Sequence, residues 1–269
     1  VVDTITKLVW QVCSAGQSGK NCAGTATKMN WNEATSYCDT LSWGGHDDWV
    51  VPDAWELQSM ADYSTTSPAV DTSVFINTPS NFKNDSSAWW SECYWSSTSY
   101  TRDNTAAWVM VSNNGDISQG SGTPYHLNDK AAKGWDGCYV RCVRRTGALT
   151  HERFVKLSGN GAGEEIVADT VTRLMWQACS AGQSGTDCSG EARMIDWKAS
   201  LAHCEGLSWG GHDDWRLPSV KELRSIVDLG SASPAIDTTL FPNTPYYKGS
   251  SSDDNAGHYW TGTGRWYND

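Results

Sequence analysis

Phenylalanine is nearly absent from this sequence, with 4 residues against 16 tryptophans in 269. Basic residues are also short, 20 against 31 acidic ones, for a net charge of −11. The shortage runs through the chain: residues 1–147 hold 10 basic and 15 acidic residues, and the remainder 10 and 16. Neither half offers the basic face that neutralises phosphates, so no nucleic-acid partner is expected. A sulfated polysaccharide is repelled on the same ground. No apolar run approaches the ~20 residues of a spanning helix, so no membrane span is expected. Paired C-x2-C knuckles are missing, which sets aside a zinc ribbon. GxSxG, HExxH, P-loop and dinucleotide fingerprints are missing too, and nothing marks out a carboxylate pair for glycoside hydrolysis. No catalytic residue is assigned on these grounds.

What is present begins with nine cysteines: Cys13, Cys22, Cys38, Cys93, Cys138, Cys142, Cys179, Cys188 and Cys204. Without metal spacing they fit disulfides, and hence an oxidising, extracellular compartment. Hydrophobic residues at 39% and charged residues at 19% describe a folded chain.

The sequence repeats itself. At an offset of 166 residues Trp10 falls on Trp176, Cys13 on Cys179, Cys38 on Cys204 and Pro79 on Pro245. From Asp3 to Pro79 no gap is needed, and 41 of 77 positions are identical. Beyond, Tyr94-Trp95 matches Tyr259-Trp260 with a gap of one residue. The first copy then runs on to CYVRCVRR, whereas the second stops nine residues after Trp260. Two tandem domains follow, 1–147 and 148–269, the second expected to be truncated at its C-terminus. They are joined by a linker and a hairpin near Thr146 to Gly163.

Within each copy the local signals read as α+β. Lys7 to Val12 has strand character, and the Gly/Ser loop after it is closed by Cys13 and Cys22, where a bridge would staple it. Asn30 with Glu33, and Asp53 with Glu56, read as capping pairs that open two helices. Ser42 to Gly45 is expected to end the first helix with a left-handed glycine. Short strands follow at Tyr94 to Thr98, Ala106 to Ser112 and Tyr139 to Arg144, with Asn113 to Asp116 as a hairpin turn.

The stretch LSWGGHDDW occurs unchanged at Leu41 to Trp49 and Leu207 to Trp215. Three adjacent side chains do not close a zinc shell. Calcium is the ion that Asp47, Asp48, Asp213 and Asp214 would suit. The reading preferred is a turn between two helices, repeated because the fold is repeated.

The ordered motifs DTxTxLxWQ, GGHDDWRLP, PAID-x3-FPNTP, YWSST and YVRCVR resemble one bacterial domain family. It is named for the C-terminal domain of the Legionella collagen-like adhesin. The likeness covers Asp3 to Arg145 and Asp169 to about Trp260. The family is similar in fold to C-type lectins and to formylglycine-generating enzymes. The resemblance implies two C-type-lectin-like domains, each with two helices and a small twisted antiparallel sheet. It also implies the bridges Cys38–Cys142 and Cys93–Cys138, with Cys13–Cys22 and its copy Cys179–Cys188 as local staples and Cys204 unpaired. His258 stands where the second copy would need the counterpart of Cys93.

The family's better-known members adhere and bind ligands at the cell surface. The resemblance therefore implies a secreted or surface-displayed binding module of a bacterium, without enzymatic activity. Its partner would be a glycan or a protein. The recognition loops lie between the late strands, where Tyr100, Arg102, Asp103, Asn104, Tyr125, His126, Trp135 and Asp136 combine aromatic and polar side chains. The lectin calcium signature is missing; no cofactor is expected, with calcium the one ion considered. Two alternatives stand beside this reading. One is a structural subunit of an extracellular filament or appendage that self-assembles with neighbouring subunits. The other is a copper/thiol oxygenase using Cys138 and Cys142, the pair that the formylglycine-generating likeness brings to mind.

Overall fold

The computed structural model describes residues 1–80, 92–100, 103–113, 115, 117–118, 137–146, 153–159, 161, 163–231, 234–246 and 257–263, with only the backbone described for 103–105 and 117–118. The chain divides into two compact units, Val1–Ala148 and Leu149–Asp269. Both are α+β, with short helices and small antiparallel sheets.

The first unit runs β1 (Leu8–Trp10), α1 (Trp31–Asp39), α2 (Ala54–Ser59), β2 (Cys93–Tyr100), β3 (Asp103–Val111), β4 (Ile117–Ser118) and β5 (Val143–Arg145). Both helices start where the capping pairs place them. The Asn30 carboxamide accepts the Glu33 N–H at 2.9 Å, and the Glu33 carboxylate accepts the Asn30 N–H at 3.0 Å. Asp53 and Glu56 repeat this at 2.7 and 2.8 Å. Two of the four orphan N–H groups of each helix are thereby satisfied. Helix α1 stops earlier than its sequence suggests, at Thr40 with a right-handed φ of −103°. The glycines expected to end it belong to a separate hairpin, and Leu41, beyond the helix, still packs against the cluster that buries Ala34 and Cys38.

β2, β3 and β4 form an antiparallel meander, with Cys93 opposite Val111, Trp95 opposite Val109 and Met110 opposite Ile117. β1 pairs with β5 from Leu8↔Arg145 to Trp10↔Val143. The strand expected over Tyr139 to Arg144 joins a ladder only from Val143. Before that the chain is threaded between several segments and shares its backbone among them. Cys138 and Val140 accept from Met29 and Ala15, Tyr139 donates to Cys93 and accepts from Trp95, and Cys142 accepts from Gln11. Every residue from Cys138 to Val143 is buried. Gly137 admits the chain: its φ is +77°, and a Cβ there would lie 2.4 Å from the Met29 carbonyl oxygen.

In the second unit β6 (Phe154–Ser158), β7 (Glu165–Asp169) and β8 (Met175–Gln177) form one sheet, followed by α3 (Trp197–Glu205) and α4 (Val220–Ser225). The β6–β7 pair is the hairpin expected after the linker. Equivalent hydrogen bonds show the repeat in three dimensions. The Trp31 indole donates to Ser96 O at 2.9 Å, and Trp197 to Thr261 O at 2.8 Å. Trp95 reaches Met29 O at 2.7 Å, and Trp260 reaches Ile195 O at 2.8 Å. Ser14–Tyr94 and Ser180–Tyr259 hydroxyls meet at 2.6 and 2.7 Å. These pairs place the one-residue gap between the copies after Pro79.

Four disulfides close Cys13–Cys22, Cys38–Cys142, Cys93–Cys138 and Cys179–Cys188, and Cys204 is free. Cys38–Cys142 spans 104 residues, and Cys13–Cys22 only 9. In the chain-entropy picture the longer loop stabilises by about 4.7 kcal/mol and the shorter by about 2.7 kcal/mol. Guanidinium unfolding followed by tryptophan fluorescence should therefore show the Cys38→Ala/Cys142→Ala double variant losing more stability than the Cys13→Ala/Cys22→Ala one. The reverse order would show that the bridges do not act through loop closure.

Candidate functional site

The repeated LSWGGHDDW stretch is a tight hairpin. Trp43 and His46 exchange backbone hydrogen bonds at 2.9 and 3.1 Å, and Gly44 and Gly45 between them have φ of +63° and +80°. Two consecutive positive φ values are what a type I′ turn requires, which is why both positions are glycine. The Trp49 indole N–H lies over the turn, 3.3 Å from Trp43 O and 3.2 Å from His46 O. The second copy repeats this at Trp209, His212 and Trp215. Of the aspartates considered for calcium, Asp48 receives the guanidinium of Arg144, and that hydrogen bond holds its carboxyl below the usual carboxylate range. Among the described residues no three His, Cys, Asp or Glu side chains gather as a metal site.

Cys138 and Cys142 both sit in disulfides, each with a different partner. Between them Arg141 is fully buried and makes no ion pair among the described residues. Its guanidinium donates to Ser14 Oγ at 3.2 Å, Thr78 Oγ1 at 3.1 Å and the Met60 sulfur at 3.4 Å. It also lies over the rings of Phe75 and Tyr94, at 4.8 and 5.2 Å. Burial pulls its pKa down from the ordinary arginine value. Two aromatic faces and two hydroxyls replace water around a weakly hydrated planar cation.

At the far end of the β2–β3 ribbon half-buried Tyr100 meets half-buried Trp108 edge-on, with centroids 5.4 Å apart. Asp103 pairs with Tyr100 across the ribbon, and Asn104 follows on β3. The ribbon is held at its base by Cys93–Cys138. Of the residues expected in the recognition loops, Tyr100 is described in full, and Asp103 and Asn104 by their backbone. Arg102, Tyr125, His126, Trp135 and Asp136 lie outside the described residues. Trp108 is an addition that pattern reading missed. Only the register of β2 on β3 brings it beside Tyr100.

The copies differ at the helix-capping glutamates. Glu56 takes Arg145 of β5 in a two-pronged pair at 2.6 and 2.7 Å, and burial nevertheless raises its pKa. Glu222, its counterpart, takes Arg216 instead, at 2.6 and 2.8 Å, and that bond brings its pKa down to about 2.

The fold and these sites define a disulfide-stapled α+β protein with an internal repeat. The family model of the Lcl C-terminal domain matches residues 1–144 and 165–269, and the chain belongs to that family. No curated protein and no solved structure matches it. The disulfides fit an extracellular location. Among the described residues no helix is long and apolar enough to cross a membrane.

Two predictions follow from these environments. Arg141→Lys should destabilise the first unit more than Arg141→Met, by about 1–3 kcal/mol in chemical unfolding. Lysine leaves a compact, strongly hydrated charge between two rings. Methionine removes the charge, while Thr78 keeps its bond to Phe75 O and Ser14 its contact with Tyr94. Equal losses would show that the stacked plane is not what holds the segment. For Glu222 the folded pKa lies below the ordinary 4.5. Its pairing therefore stabilises the fold above pH 4.5 and is lost as pH falls toward about 2. Glu222→Gln should flatten that part of an acid-unfolding curve. An unchanged curve would exclude the pair as a source of acid sensitivity.

Proposed function

We propose that the chain is a secreted or surface-displayed, non-catalytic binding and adhesion module, built of two tandem C-type-lectin-like domains. The observation that carries this reading is the aromatic pair Tyr100–Trp108 at the end of a ribbon whose base is tied by a disulfide. Aromatic side chains give contact area at small entropic cost when a rigid base holds them. Membership of a family named for an adhesin's C-terminal domain supports an extracellular, adhesin-associated role. The engagement of Cys138 and Cys142 in disulfides supports the non-catalytic reading over the copper/thiol oxygenase, because neither can serve as a thiolate while bridged.

The ligand is a glycan or a protein, engaged by Tyr100, Trp108 and the late-strand loops around them. A glycan array and a surface-protein pull-down, run with calcium and with chelator, test this. Saturable binding should weaken at least about tenfold in Tyr100→Ala and Trp108→Ala, the size expected when one aromatic contact of ~1.4 kcal/mol or more is lost. Binding that ignores both substitutions would move the site elsewhere. Turnover of a thiol or glycoside substrate would overturn the class.

A further inference from the structure

The start of α2 is stitched to the β2–β3 ribbon. The Ser97 N–H donates to Pro52 O at 2.8 Å, and the Ala54 N–H donates to Thr98 Oγ1 at 2.9 Å. The second copy repeats the stitch: Gly262 donates to Pro218 O at 2.7 Å, and Val220 to Thr263 Oγ1 at 3.0 Å. In the first unit the stitched residues are the irregular part of β2, between Trp95 and Ser99, where its register on β3 shifts. Such an irregularity sets how the strand beyond it is aimed. Within it Ser96 Oγ donates to Trp108 O at 2.7 Å, and Tyr100 lies two residues past Thr98. The start of α2 therefore bears on the pair Tyr100–Trp108.

On its other side the start of α2 is held by one buried carboxylate. Glu56 accepts the Asp53 N–H at 2.8 Å and takes Arg145 at 2.6 and 2.7 Å. It thus caps the helix and ties its start to β5 together. The charged groups that act on Glu56 are Arg145 from β5 and Asp53 from its own cap. The Arg145 side chain is 41% exposed, so a released guanidinium turns to water. The second unit keeps the stitch with a different partner, because Glu222 pairs with Arg216 only six residues away.

We propose that Glu56 is an acid-sensitive clasp that regulates the Tyr100–Trp108 site. Ionised, it fixes the start of α2 between β5 and the ribbon; protonated, it releases Arg145, and the end of the ribbon loosens. The regulatory meaning rests on the reading of Tyr100–Trp108 as the binding site. Protonation removes one acceptor oxygen of the two-pronged pair and the charge that strengthens both of its bonds. Burial raises the Glu56 pKa against the pull of Arg145, so the proton arrives at a higher pH than on an ordinary glutamate. A carboxyl raised by folding binds its proton more tightly in the folded chain than in the unfolded one. Falling pH through that range therefore favours the folded chain, and the release is local. Glu222, at about 2, stays ionised meanwhile. Mild acid thus weakens the grip of the first unit on its ligand and leaves the second unit as it was.

The test follows the full chain by NMR without ligand, so the coupling is read apart from the binding experiments. Between about pH 7 and pH 4 the Asp53 amide and the Trp108 indole N–H should shift with one midpoint, above the ordinary 4.5 of a glutamate. The Ser219 amide, bonded to the Glu222 carboxylate at 2.7 Å, should stay in place. Glu56→Gln should remove the Trp108 titration. Arg145→Gln should move its midpoint up by about one pH unit or more, since the opposing cation is gone. A Trp108 indole that does not titrate, or titrates alike in Glu56→Gln, would overturn the proposal. So would a midpoint that Arg145→Gln leaves unmoved. Ligand binding that ignores Tyr100→Ala and Trp108→Ala would overturn the regulatory role and leave the coupling itself standing.

Discussion

One buried segment, Cys138 to Val143, organises the first unit. It has no ladder of its own for most of its length, so its polar backbone groups must be met from several places at once. Met29, Ala15, Gln11, Val50, Cys93 and Trp95 meet them. Those residues lie far apart in sequence, and the requirement fixes their positions relative to one another. Disulfides from α1 and β2 then tie the segment at Cys142 and Cys138. Between the ties Arg141 is held by hydroxyls and ring faces. Helices of nine and six residues are too short to persist alone. They persist here because Cys38, Leu57 and Met60 are buried around this segment.

The two copies show what that arrangement needs and what it tolerates. Among the unchanged positions are several with left-handed backbone, although left-handed Lys7 becomes Arg173 and the capping residues Asn30 and Asp53 become Asp196 and Ser219. Cys22 and Cys188 have φ of 47° and 51°, and Asn77 and Asn243 have φ of 55° and 50°. Each asparagine donates to the carbonyl of its cysteine at 3.1 Å and accepts from a glutamine at 3.0 Å. Changed are the charges that balance the helix-capping carboxylate. Glu56 and Glu222 cap equivalent helices, yet one is paired from the last strand and the other from the residue after Trp215. A positive charge can arrive from either direction, whereas a left-handed turn admits few residues.

The same distinction decides how much could be read from sequence. The capping boxes of α1 and α2 were legible because donor and acceptor lie three residues apart. The β6–β7 hairpin was legible from its glycine-rich turn. The pairs Cys38–Cys142 and Cys93–Cys138 came from family resemblance, since nine cysteines do not choose partners by themselves. The double glycine reads both as the end of the first helix and as a turn between two helices, because a left-handed stop and a type I′ turn use glycine alike; the turn is what forms. What separates them is the exchange of bonds between Trp43 and His46, which no propensity records. Strand register was illegible for the same reason, and with it the meeting of Tyr100 and Trp108. Arg141 read as one residue of an ordinary last strand. Its burial depends on rings contributed from Phe75 and Tyr94, far away in the chain.

The excess of tryptophan over phenylalanine follows from this loop-rich construction. Where short strands leave carbonyls without ladder partners, a ring that carries an N–H fills space and satisfies an acceptor together. The indoles of Trp31, Trp95, Trp197 and Trp260 each reach a carbonyl 64 to 66 residues away. Trp209 reaches Glu165 O, and Trp49 and Trp215 cap their hairpins. Phenylalanine offers the area without the bond, and at the part-buried bonds to Ser96 O and Met29 O its loss would cost about 1–3 kcal/mol each. Phe75 and Phe241 stand at positions of another kind, where the ring needs no bond. Phe75 gives its face to the Arg141 guanidinium, and an indole N–H there would have to find an acceptor.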